Sequence, residues 1–141
     1  MTESKAKLSI GILALLLFGG NFWIYPENLS QSWDSSLSNL SYFELRKQTI
    51  DYFKTQKVDF KSVGVGFPMY TQFDYVDINS DKQHFESLDF KKNNWAIYSN
   101  VFNSTDEDID HYKRWIFVKG FRKGNVFMNI YKRPTYDGNS K

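Results

Sequence analysis

Apolar residues run almost unbroken from Leu8 to Phe18 and continue through Phe22, Trp23, Ile24 and Tyr25. From Leu8 to Tyr25 this is roughly 18 residues, near the lower limit for a helix crossing about 30 Å of hydrocarbon. Gly19, Gly20 and Asn21 weaken its far end, Trp23 and Tyr25 suit an interfacial aromatic belt, and Pro26 stops the helix. Lys5 and Lys7 are the basic residues ahead of it, so the positive-inside rule holds Met1 in the cytoplasm and places Pro26 onward outside. The rival reading is a cleaved signal peptide. Cutting after Gly20 or Gly19 puts Phe18 or Leu17 three positions before the cut, where a small residue is wanted, so the pattern favours an uncleaved anchor. A buried core helix of a cytosolic protein is the least favoured reading.

The pattern then changes. Glu27 to Leu40 is rich in Ser and Asn and reads as a juxtamembrane linker, interrupted by Trp33-Asp34. Ser41 and Glu44 are spaced as a capping box opening a helix over about Tyr42 to Gln56. Leu45, Thr49, Ile50 and Phe53 share one face of it, with Arg46, Lys47, Asp51 and Lys54 mostly elsewhere. Val63 to Phe67 reads as a short buried strand stopped by Pro68. Phe73, Tyr75, Val76 and Ile78 suggest a strand, followed by a turn at Asn79-Ser-Asp81. Trp95 to Phe102 is the clearest strand. Ser104 and Glu107 form a second capping box, and Asp106, Glu107 and Asp108 favour the positive end of a short helix ending near Arg114. Ile116–Phe121 and Val126–Tyr131 predict a hairpin across Arg122 to Asn125, with Gly124 at positive φ. Alternation puts Ile116 and Val118 on one side, and likewise Val126, Met128 and Ile130.

The expected fold is therefore α/β or α+β: an N-terminal membrane helix, then a small mixed-sheet domain of about four strands with two helices. The expected organisation is an N-terminus and membrane anchor over 1–26, a linker over 27–40, an extracytoplasmic domain over 41–134 and a frayed tail over 135–141.

Composition changes this picture little. With 13 Phe, 9 Tyr and 4 Trp, a small domain can fill its core with few residues. The absence of cysteine excludes disulfides and thiol chemistry, so an exported domain depends on packing. Setting aside Glu3, Lys5 and Lys7 leaves the domain nearly balanced in charge, which argues against a nucleic-acid partner.

Several motifs fit chemistry weakly. Asp77, Asn79 and Asp81 match the first ligand positions of a calcium loop, but Lys82 replaces the turn glycine and Leu88 the bidentate Glu. Asp106, Glu107, Asp108 and Asp110 fan around a first helical turn and serve its dipole. Gly64 and Gly66 lack the third glycine of a phosphate loop and read as close packing within a strand. His84 and His111 are isolated and expected at the surface. Asn28, Asn39 and Asn103 open glycosylation sequons, the second and third overlapping helix starts. Lys119, Arg122, Lys123, Lys132 and Arg133 stand on the hairpin beside Phe121, Phe127 and Tyr131. Arg122, Lys123, Lys132 and Arg133 are the candidate contacts for anionic lipid or a phosphorylated sugar carrier, against the simpler reading of a charge-protected sheet edge. No residue is assigned to catalysis, a cofactor or a metal.

A set of strings carries a family resemblance: Trp33 to Leu37 after an apolar helix ending in Tyr25-Pro26, Tyr42-Phe43 with Leu45-Arg46-Lys47, Tyr98 to Asn103, the Asp-rich turn through Asp110, Trp115 with Val118-Lys119, and Ile130 to Arg133. Together they resemble the C-terminal part of bacterial polytopic membrane glycosyltransferases of the dolichyl-phosphate-mannose mannosyltransferase-like type. The resemblance implies a small extracytoplasmic domain at the end of a bundle of membrane helices. It also implies a catalytic carboxylate in an early loop that this chain lacks. The chain would then correspond to the tail of such an enzyme, as the product of a split gene, a fragment or a free-standing accessory.

The functional expectation is a non-catalytic, membrane-anchored extracytoplasmic domain accessory to glycosyl transfer, partnered by the membrane and a polytopic membrane protein. The alternative is a membrane-tethered binding module for an envelope glycan or a protein partner; an independent hydrolase is weaker, as no nucleophile or acid–base pair stands out. Trp33 and Asp34 are the candidate docking pair, the Trp packing on the domain or lying in the lipid headgroups and the Asp capping a turn or pairing with Arg46 or Lys47.

Overall fold

The computed structural model of the chain describes residues 3–20 and 40–135. Its elements are α1 (Glu3–Gly20), α2 (Leu40–Thr55), a 3-10 turn (Phe60–Ser62), β1 (Val63–Val65), α3 (Asp74–Asp77), β2 (Glu86–Ser87), β3 (Trp95–Ser99), α4 (Asp106–Lys113), β4 (Ile116–Lys123) and β5 (Val126–Lys132). The fold is mixed α/β, as expected, with five strands where about four were expected and four helices. The unforeseen strand, β2, has two residues, too few to show an alternating pattern.

The strands lie in the order β2-β1-β3-β5-β4. β1 pairs in parallel with β2 and β3, while β5 pairs antiparallel with β3 and β4. The sheet separates two apolar clusters. α2 brings Tyr42, Leu45, Ile50 and Phe53 against Val63, Val65, Ile97, Met128 and Ile130 on one face. α4 brings Ile109 and Tyr112 against Ala96, Tyr98 and Phe127 on the other. Residues 96, 97 and 98 alternate between the clusters, as pleating requires. Phe60, Phe73 and Phe85 meet edge to face at centroid distances of 5.0–5.4 Å beneath α2, and Phe53 joins them at 5.6 Å from Phe85. Each such pair contributes about 1 kcal/mol beyond its burial.

Three expected elements differ. Ser41 lies inside α2, which begins at Leu40, and Glu44 pairs with Lys123. The box that opens α4 is Thr105 with Asp108, one residue later than Ser104 with Glu107. Residues 73–78 form the turn α3 instead of a strand. A strand would spread residues 73 and 77 over about 13 Å. A helical turn stacks them about 6 Å apart, and both then reach Arg46.

β3 ends at Ser99, where the Phe102 amide turns back to the Ser99 carbonyl at 3.1 Å. The hairpin closes through Gly124, at φ +57°, and Asn125, a two-residue loop whose first position needs glycine. Ile116 and Val118, on the sheet's last strand, are exposed.

α1 carries Leu8, Ile10, Leu13, Leu15, Leu16, Leu17 and Phe18 exposed to between 58% and 73%. Among the described residues no helix is long and apolar enough to cross a membrane. The apolar part of α1, from Leu8 to Gly20, spans roughly 20 Å. The rest of the expected span, Asn21 to Tyr25, lies outside the described residues, as do the linker up to Asn39 and the tail from Tyr136.

Candidate functional site

The candidate site is the β4–β5 hairpin, the home of the predicted basic residues. Asn100 holds its inner strand in place. Its amide donates to the Asn125 carbonyl at 2.8 Å, and its side-chain oxygen accepts from the Phe127 amide at 3.1 Å. Asn100 is buried and was not singled out by sequence; its neighbours in space are 25 and 27 positions away, so no local pattern marks it.

The register sorts the cations onto two faces. Lys119 lies opposite Ile130, Lys123 opposite Val126, and Lys132 opposite Ile116, all on the face covered by α2. Arg122 lies opposite Phe127, on the α4 face. Arg133, next after Lys132, also belongs to the α4 face and stacks on Trp115 at 5.6 Å. A register shift between Phe117 and Lys119 leaves Val118 without a paired residue.

Each cation has a structural neighbour. Lys119 sits over Phe121 at 5.7 Å, Arg122 over Phe127 at 5.4 Å, and Lys132 over Trp95 at 5.3 Å. Lys123 donates to Glu44 across the sheet–helix boundary. Arg133 donates to the Phe90 carbonyl at 2.8 Å, and its backbone amide to Asn94 at 2.8 Å. Arg133 thus fastens the end of β5, whereas Lys119, Arg122 and Lys132 rest along aromatic rings, each such contact contributing about 0.5–1 kcal/mol.

The other candidates resolve into structural roles. Asp77 pairs with Arg46, and Asp81 accepts from Lys54 at 2.8 Å and from the Gln83 amide at 3.0 Å. Those bonds, the one from Lys54 first, hold the Asp81 carboxyl below its ordinary value. Asn79 accepts from the Asp81 amide, so the expected turn is made. Asp108 caps α4, and Asp110 pairs with Lys113. Among the described residues no group of three acidic or His side chains is placed to hold a metal. Gly64 packs closely, since a Cβ there would lie 2.3 Å from Asn93 Oδ1. His84 is half-buried near Glu86, and His111 stacks on Phe90 at 4.6 Å. Asn103 is exposed. Trp33 and Asp34, like Asn28 and Asn39, lie outside the described residues.

The residue sequence reasoning placed wrongly is Arg46. It is fully buried, with its guanidinium on the Phe73 ring at 5.1 Å and its ion pair to Asp77. Burial first, and the charge of Asp77, push the adjacent Tyr42 hydroxyl well above the usual phenol range, against the opposing pull of Arg46. Beside this cluster opens a groove of about 270 Å³ lined by Lys47, Asp51, Lys54, Asp77 and Asp81 among others. Its charges are of both signs, with Asp81 paired to Lys54 and Asp77 to Arg46.

No family model matches this chain, and no curated protein or solved structure does either.

Proposed function

We propose that the chain is a membrane-tethered, non-catalytic module that holds a folded α/β domain outside the cytoplasm as a binding surface. The observation that carries it is α1. Its apolar side chains from Leu8 to Phe18 point outward on every side and remain exposed in the folded chain. Burying one such Leu gains about 2 kcal/mol, so a run of them calls for an apolar surrounding, and lipid supplies it around the whole helix. Lys5 and Lys7 ahead of the run favour an N-terminus in the cytoplasm.

Binding is favoured over reaction because two of the three carboxylates lining the open groove, Asp77 and Asp81, are shared with Arg46 and Lys54. A general base needs a carboxylate free to accept a proton. Within this reading the glycosyltransferase resemblance supplies one class of partner, a membrane protein with more spans to which the domain is accessory.

The test is alkaline carbonate extraction of membranes from cells producing the full chain. The chain should stay with the membrane pellet, and the variant carrying Leu13→Lys and Leu16→Glu should be released. Release of the unaltered chain to the same extent counts against the tether.

A further inference from the structure

We infer that the end of the domain where the chain enters it, carrying Leu40, Phe43, Phe67 and Tyr70, rests in the headgroup layer of the bilayer that holds α1. The inference rests on the reading of α1 as a membrane tether and deepens it by naming the face that the domain turns to the lipid.

Strand register brings these residues to one end of the sheet. Val65, the last residue of β1, pairs with Ile97, and Ser99, the last of β3, pairs with Met128 near the hairpin turn. Asn100 then holds that turn through the Asn125 carbonyl at 2.8 Å. Lys123, at the turn, reaches Glu44 near the start of α2. The start of α2, the loop after β1 and the hairpin turn therefore share one end. At the opposite end Val63 pairs with Trp95 and Trp95 with Lys132. Lys57, Asp59, Lys61, Lys91 and Lys92 are exposed there, and its large exposed apolar residues, Ile116 and Phe117, lie on the edge strand beside Lys132.

The fold holds the four side chains outward. Leu40 and Phe43, three positions apart on one face of α2, are 66% and 52% exposed. Phe67 and Tyr70, exposed to 52% and 39%, flank Met69, which is fully buried. The Met69 amide donates to the Gly66 carbonyl at 3.0 Å, and the Thr71 hydroxyl to the Pro68 carbonyl at 3.0 Å. With Met69 turned inward and the loop closed by these bonds, the two rings stay outside, their centroids 6.0 Å apart. Apolar side chains gathered at one end of a domain mark an interaction surface.

The tether selects the occupant. Residues 21–39 join α1 to Leu40, at most about 70 Å of extended chain. The end carrying the four residues is thus the end at which the domain is held to the bilayer, and lipid is present there whenever α1 is inserted. Tethering keeps the local concentration of that surface high. Phe and Tyr rings suit the zone between headgroups and acyl chains, where Tyr keeps its hydroxyl in water. Glu44, next to Phe43 in sequence, is paired with Lys123, which lessens its repulsion from anionic headgroups.

The test uses the full chain in lipid nanodiscs, one chain to a disc, with an environment-sensitive fluorophore on Asn125→Cys, at the hairpin turn, or on Lys91→Cys, at the opposite end; the chain has no cysteine of its own. Discs with and without lipid spin-labelled at the headgroup, which quenches fluorophores close to it, are compared. Position 125 should show a severalfold loss of emission and position 91 little change. Phe43→Ser, Phe67→Ser and Tyr70→Ser together should remove the quenching at 125 while the amides of β3 and β5 stay protected from hydrogen exchange. If the triple variant loses that protection, Phe67→Ser alone is read in its place and should weaken the quenching. Equal quenching at both positions, none at either, or quenching at 125 unchanged by the substitutions overturns the inference. So does a change in emission at 125 seen only in discs with two chains, which would assign the face to a second copy, or only in native membranes, which would assign it to a membrane protein. Carbonate extraction retains the chain whether or not the domain docks, so loss of the docked face and loss of the tether are told apart.

Discussion

Arg46 and Asp77 form an ion pair across 31 positions of sequence, with the guanidinium fully buried and the carboxylate partly exposed. The pair ties α3 to the middle of α2. Phe73, one helical turn before Asp77, lies under the same guanidinium. Among the described residues Arg46 Nε and Nη2 have no hydrogen-bond partner, and Asp77 is the compensating charge there.

Removing that charge should be costly, because it leaves a buried cation without a partner. Asp77→Asn is expected to lower stability by about 3 kcal/mol, and adding Arg46→Met should recover more than half of the loss. Urea denaturation of the single and double variants checks this. Additive losses in the double variant would mean that the two residues act independently.

The Lys54–Asp81 pair predicts an acid dependence. The Asp81 carboxyl is held below its ordinary value of 3.8, chiefly by the bond from Lys54. A lowered folded-state value stabilises the protein above pH about 4, and that stability disappears as pH falls through the folded-state value. Asp81→Asn should therefore be less stable at pH 7, by under about 1 kcal/mol for so accessible a pair. The gap should close below pH 4 in denaturation curves taken across that range; a gap independent of pH contradicts the assignment.

Gly64 tolerates no side chain. A Cβ would lie 2.3 Å from Asn93 Oδ1 and 3.1 Å from the Leu88 Cα, and that Asn93 oxygen already accepts the Asp89 amide at 2.7 Å. Asn93 cannot swing aside without giving up this bond. Gly64→Ala should cost about 2–3 kcal/mol, measured as a shift in the urea midpoint at constant slope.

Ile78 predicts the opposite sign. It follows α3 at φ 48° with its side chain 96% exposed, a left-handed conformation that a β-branched residue adopts at a cost. Ile78→Gly should stabilise the domain by about 1 kcal/mol, since no burial is lost. Thermal unfolding measures it, and a lower Tm would show that Ile78 makes contacts that offset its strain.

What was legible in the sequence follows from how local each determinant is. The hairpin was readable because alternation and Gly124 sit within the same short stretch. α4 was readable from its acidic start, but Ser104 and Thr105 offered two registers for the box, and the burial of Ser104 decided for Thr105. The burial of Arg46 was not readable, since it depends on Asp77 being brought over by a helical turn 31 positions away. Phe73 to Ile78 looked like a strand because its apolar residues were counted without that partner. Alternation puts Ile116 and Val118 on one side but does not show whether anything covers that side, and both are exposed. The basic residues were correctly gathered onto the hairpin, yet their division between two faces needed the β4–β5 register.

Because the chain has no cysteine, single cysteines report topology without a background. Ser4→Cys and Lys91→Cys place one thiol at an exposed position before the apolar run and one at an exposed position in the domain. The most direct measurement is labelling of each variant in intact cells, stripped of any outer barrier, with a membrane-impermeant maleimide before and after permeabilisation. The tethered reading predicts immediate labelling at position 91 and labelling at position 4 after permeabilisation alone. Equal labelling of the two positions in intact cells, or protection of both, would contradict it.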